Sequence, residues 1–138
     1  MRGSSSRHTS SANLKVLCPS HFRASVDLNV LVANAGISNW ARFWGKSDEQ
    51  WQTMIDINLT GVWRTLKAAV PHMLSTGNDD LIITIRSIAG IKALPSQSHY
   101  TAAKHGVVGL TKSASIELGE YDIRVNSIHP WGRRSGSA

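Results

Sequence analysis

Cysteine is nearly missing: Cys18 is the only one in 138 residues. A single thiol closes no intramolecular disulfide and completes no zinc site, which excludes a disulfide scaffold and a metal knuckle. A reducing, cytoplasmic compartment fits that composition. Long apolar runs are also missing, since none approaches the ~18–20 residues of a spanning helix, so the sequence does not read as an integral membrane protein. The six histidines show no H-x-x-x-H or other ligand spacing and read as scattered surface or core residues.

Acidic residues are missing from both ends. Residues 1–25 hold Arg2, Arg7, Lys15 and Arg23 without an acid, and residues 131–138 hold Arg133 and Arg134 without one. Residues 26–130 hold 9 basic and 9 acidic side chains, so the whole formal charge of +6 sits in the flanks. A neutral middle offers no basic groove to a nucleic acid. Residues 1–25 also contain seven serines and no sustained periodicity, and they read as a disordered leader. Their Arg/Ser-rich makeup is shared by mitochondrial transit peptides and by unrelated leaders. The second reading is preferred, because the segment joins directly to the middle of a recognisable fold. The expected organisation is a leader at 1–25, a domain at 26–130 and a short tail at 131–138.

The middle is patterned. A β-branched, apolar run predicts a buried parallel strand at about 28–33, ending in Asn34-Ala35-Gly36. Ser47-Asp48-Glu49-Gln50 is a capping box, and Ile55, Leu59, Val62, Leu66, Ala69, Val70 and Met73 then recur at helical spacing. These predict a helix over about 48–75 that stops near Gly77. A second strand is expected at about 81–86, a second helix at about 98–118 with a stop at Gly119, and a third strand at about 123–128. The order β-α-β-α-β implies a parallel α/β sheet with its functional groups at the carboxyl ends of the strands.

Polar residues stand at those ends: Asn34-Ala35-Gly36 after the first strand, Ser87 after the second, and Tyr100-Thr-Ala-Ala-Lys104 at the start of the second helix. The i, i+4 spacing of Tyr100 and Lys104 places phenol and ammonium on one helical face. A cation there favours a phenolate, which suits general acid–base work, although a solvated surface pair has the same spacing. Trp40, Trp44, Trp51 and Trp63 crowd one stretch and read as packing or subunit contacts, and His99 and His129 read at most as the edge of a site.

Asn34-Ala35-Gly36, Ile57-Asn58-Leu59, Ser87-Ile88-Ala89-Gly90, Tyr100-Thr101-Ala102-Ala103-Lys104 and Arg124-Val125-Asn126-Ser127-Ile128-His129-Pro130 occur in order. Together they resemble the ordered motifs of the classical short-chain dehydrogenases/reductases, with Ser87 thirteen positions before Tyr100 as in that family's catalytic pair. The wording around Trp51–Trp63 and His99–Leu110 is similar to the carveol-dehydrogenase-type, mycofactocin-associated branch.

The resemblance implies a partial Rossmann-like doubly wound sheet and an NAD- or NADP-dependent interconversion of a secondary alcohol and a ketone, with NAD favoured by the branch. It implies that Tyr100 exchanges the proton with the substrate oxygen, that Ser87 hydrogen-bonds that oxygen, and that Lys104 holds the nicotinamide ribose. Asn58 would bend its helix and place a relay water, although an asparagine bonding its own preceding turn looks the same in sequence. Asn34, Ala35, Gly36, Tyr100, Lys104 and Pro130 would face the cofactor. The two long helices resemble those that pair subunits in the family, which implies a homo-oligomer.

The sequence also departs from the family. No G-x-G-x-x-G turn occurs in these 138 residues, Trp131 stands where Gly is expected, Arg86 where Ser is usual and Asn29 where Asp is common. The first βαβ half is therefore expected to be missing, with an exposed apolar edge at 28–33 and weak or no catalysis. The alternative expectation is an inactive module that associates with other subunits.

Overall fold

Parallel strands hold the described part of the molecule together: Val30–Ala33 (β1), Leu81–Ile85 (β2) and Arg124–Ile128 (β3), in the order β1-β2-β3. A computed structural model describes residues 27–130. Cys18, the leader at 1–25 and the tail at 131–138 lie outside the described residues. In register, Val30 pairs with Leu81 and Leu81 with Arg124, so all three strands run toward one edge. The chain passes from β1 to β2 through helices Asp48–Ile55 (α1) and Gly61–Thr76 (α2), and from β2 to β3 through Ser98–Gly119 (α3).

Two crossovers of the same hand that step in the same direction lie on the same face of a sheet. The alternation along the strands agrees. Ala33, Ile82, Thr84 and Val125 are buried under the helices, whereas Val30 and Val32 on the opposite face are 54% and 53% exposed. The expected parallel α/β sheet is present, with one layer of helices among the described residues. Among the described residues β1 is an edge strand with an exposed apolar face at Val30 and Val32, as expected, and only its other face is buried as a parallel strand would be. The strand spans Val30–Ala33, and just before it the Asn29 side chain donates to the Asp80 carboxylate at 3.4 Å while the Asn29 carbonyl accepts from the Leu81 amide.

The expected long helix starts as read. Ser47 Oγ accepts from the Gln50 amide and the Gln50 side chain accepts from the Ser47 amide, the reciprocal cap that Ser47-x-x-Gln50 encodes. The helix is not uniform, however. Asp56–Thr60 forms a π turn in which the Gly61 amide reaches back to the Asp56 carbonyl. Val62, Leu66, Ala69 and Met73 are buried as the stripe predicts, and the helix ends at Gly77, whose φ of +63° is left-handed.

The helix α3 stops at Gly119, as expected. The chain then reverses at Asp122, which takes φ of +58°. Aspartate tolerates that region better than most residues, so the reversal needs no glycine. Ile123 then drops into the core beside Leu118 and Val125. The four clustered tryptophans do not pack inward: Trp40, Trp44, Trp51 and Trp63 are all exposed. Among the described residues, no helix is long and apolar enough to cross a membrane and no cluster of metal-ligating side chains occurs.

Candidate active site

The carboxyl ends of the strands bring the sequence-predicted residues to one edge. Asn34, Ala35 and Gly36 leave β1 and are exposed, Ser87 follows β2, and the exposed Pro130 follows β3. Arg86, between β2 and Ser87, donates its amide to the Ile128 carbonyl at 2.9 Å, which ties the ends of β2 and β3. Its Nε is buried without a hydrogen bond, and desolvation lowers its proton affinity.

Asn58 lies inside the π turn and is fully buried. Its amide behaves like a piece of backbone: Oδ1 accepts from the Ile37 amide at 3.2 Å, and Nδ2 donates to the Ile37 carbonyl at 3.0 Å and the Met54 carbonyl at 3.1 Å. The bond to the preceding turn and the long-range bond are thus made together. A Cβ on Gly36 would fall 2.6 Å from Asn58 Oδ1 and 3.6 Å from Lys104 Nζ. Close approach, and not an unusual φ, requires glycine there.

Tyr100 and Lys104 share a face of α3, with the ammonium 5.5 Å from the ring centroid. Lys104 is only 5% exposed and has no acidic partner among the described residues, so burial pushes its ammonium below the ordinary lysine range. Ser87 accepts from the Ala89 amide at 3.3 Å and starts the short turn Ile88–Gly90. That turn presses on α3: a Cβ on Gly90 would lie 3.2 Å from the Lys104 carbonyl. Gly36, Asn58, Lys104 and Tyr100 therefore form one contiguous group, with Ser87 held against the same helix. No hydrogen bond joins Ser87 to Tyr100 among the described residues.

Sequence reasoning placed His99 at most at the edge of the site and missed its partners. His99 is fully buried, its Nε2 bonded to Asn39 Oδ1, and Gln97 Nε2 donates to Ser38 Oγ at 3.0 Å. These partners lie 60 and 59 positions apart, and neither pair belongs to a periodic or spaced pattern that sequence could reveal.

Residues 9–136 match the family described as short chain dehydrogenase. The chain belongs to that family. It is 55% identical over 104 residues to an uncharacterized NAD-dependent oxidoreductase of Mycobacterium tuberculosis, covering 75% of this chain and 38% of the relative. It is 50% identical over 105 residues to a (-)-trans-carveol dehydrogenase of Rhodococcus erythropolis, again covering 75% and 38%. Its fold superposes on a carveol dehydrogenase of Mycobacterium avium crystallised with NAD, with a TM-score of 0.72 and 50% identity over 74% of this chain and 37% of the other. The chain thus spans about two-fifths of the length of the curated short-chain dehydrogenases it matches. The relatives' Rossmann fold is the one to which the three-stranded sheet corresponds.

Proposed function

We propose that this chain carries the proton-transfer centre of an NAD-dependent oxidoreductase that interconverts a secondary alcohol and a ketone. The observation that supports this most is the buried, acid-free ammonium of Lys104 one turn from Tyr100. A desolvated cation without a carboxylate leaves its donors available for hydroxyl groups, which fits a nicotinamide ribose. Lys104, with Tyr100, would hold that part of NAD, the backbone at Asn34–Gly36 would pack beside the adenosine part, and the bound nicotinamide supplies the hydride acceptor or donor.

The chain's own groups do the proton chemistry. Tyr100, half-buried and with its hydroxyl unpartnered among the described residues, gives the proton to the ketone oxygen or takes it from the alcohol. Ser87 accepts from Ala89, so its own hydroxyl hydrogen remains to donate to that oxygen, where charge develops. Asn58 fixes the backbone at Ile37 and holds open the space beside Gly36 and Lys104. Turnover is expected to be slow, since no glycine-rich pyrophosphate turn lies within these residues. Incubating the purified chain with NAD and cyclic secondary alcohols should produce NADH. Failure with every alcohol tried, at millimolar NAD, would overturn the proposal.

A second reading concerns assembly. Ile116 on α3 is 76% exposed and Trp63 on α2 is 45% exposed, which favours helix pairing between copies. Light scattering after size exclusion tests it: a dimer or larger species is expected, and a strict monomer at micromolar concentration contradicts it.

A further inference from the structure

The first turn of α3 holds Tyr100, yet its own sequence does little to fix it. Gln97 stands at the cap position and makes no capping bond, because its side-chain amide is used elsewhere. Ser96, just before it, has a φ of +60°, a left-handed conformation that serine rarely adopts. A strained residue and an uncapped turn persist only where the surroundings hold them.

The holding comes from the loop after β1. The Ala41 amide donates to the Ser96 carbonyl at 2.9 Å, Gln97 Nε2 to Ser38 Oγ at 3.0 Å, and Lys46 Nζ to Ser98 Oγ at 3.3 Å and the Ala41 carbonyl at 3.1 Å. His99 and Asn39 complete the set. Of these residues only Gln97 and His99 are buried, and the loop itself is largely exposed. With the Asn39 oxygen as acceptor, His99 carries its hydrogen on Nε2. Nδ1 then points into a buried site with no hydrogen bond. Leaving one polar ring atom unpartnered costs free energy, so the apolar body of an aliphatic residue would fit the space with less penalty. The bond to Asn39 is the one side-chain hydrogen bond the imidazole makes among the described residues.

We propose that His99, anchored by Asn39, is the positioning residue for Tyr100, fixing the first turn of α3 so that the phenol faces the Ser87 edge. This rests on the reading of Tyr100 as the proton donor. The loop that leaves β1 at Asn34–Gly36 thereby sets the direction of the tyrosine as well as the space beside Lys104. Glutamine can present an amide N–H where the imidazole Nε2–H lies, whereas alanine cannot.

The full chain contains two tyrosines, Tyr100 and Tyr121, which makes a direct reading feasible. The experiment labels both with 3-fluorotyrosine and records 19F NMR spectra, with Tyr121→Phe assigning the two lines. One narrow Tyr100 line is expected for the parent and for His99→Gln, and a broadened or doubled Tyr100 line for His99→Ala, with the Tyr121 line unchanged. An unaltered Tyr100 line in His99→Ala overturns the proposal, as does a His99→Gln spectrum no nearer the parent than the alanine variant. Should His99→Ala disturb both lines through unfolding, Asn39→Ala replaces it and is read in the same way. In turnover, His99→Ala should lower kcat roughly tenfold or more with KM for NAD changed less than about twofold. Absence of turnover in the parent would refute the oxidoreductase reading, while the 19F lines still decide whether His99 positions the ring.

Discussion

Gly36 and Asn58 meet so closely that one added carbon on Gly36 would lie 2.6 Å from the Asn58 side-chain oxygen. That oxygen is committed to the Ile37 amide, and its companion Nδ2 to the Ile37 and Met54 carbonyls, so it has no free direction in which to move. Gly36→Ala should therefore break the Asn58–Ile37 pair, costing about 1–3 kcal/mol in urea unfolding. A Gly36→Ala chain as stable as the parent would contradict the packing described.

Asn58 and Gly36 show how legible the site was. Both stood in recognisable motifs, but their contact, and the π turn that delivers it, depend on how two segments 22 positions apart meet, which no local pattern encodes. Helix limits were readable where a local device wrote them, as at Ser47 and Gly77. The stop at Gly119 was readable too, although the reversal that follows it falls at Asp122, three positions later. The strand at 28–33 was legible as an exposed apolar edge, but with Leu28, Val30, Leu31 and Val32 all apolar its covered face was not. Composition cannot tell which face of a strand a helix will cover. The His99 anchor was hidden for the same reason, since its partner lies in a loop without periodicity.

Burial, with help from the Lys46 ammonium, pushes His99 below the ordinary histidine range, and only the Gln97 backbone carbonyl pulls the other way. The unfolded chain then binds a proton that the folded chain resists, so stability falls as pH drops through the ordinary histidine range near 6.5. Urea midpoints measured from pH 7.5 to 5 should decline, with a shallower decline in His99→Gln. Equal slopes for parent and variant would remove His99 from the account.

Lys104 acts in the same direction at higher pH. Its ammonium is disfavoured by burial, so the folded chain releases a proton at a pH where the unfolded chain still holds one. The penalty is present at neutral pH and is relieved as pH rises toward the ordinary lysine value of 10.5. Lys104→Met removes the charge, so the stability of the parent should rise relative to the methionine variant between pH 8 and 10. A constant difference between the two would show that Lys104 titrates as an exposed lysine.

The claim that Tyr100 moves the proton is tested most directly by comparing NAD reduction by the parent chain and by Tyr100→Phe with the same secondary alcohol. Phenylalanine keeps the ring beside Lys104 and deletes only the hydroxyl. The account predicts a loss of about a hundredfold or more in kcat, with NAD affinity retained, in line with the removal of a general acid–base group. A Tyr100→Phe chain that turns over within about threefold of the parent would contradict it.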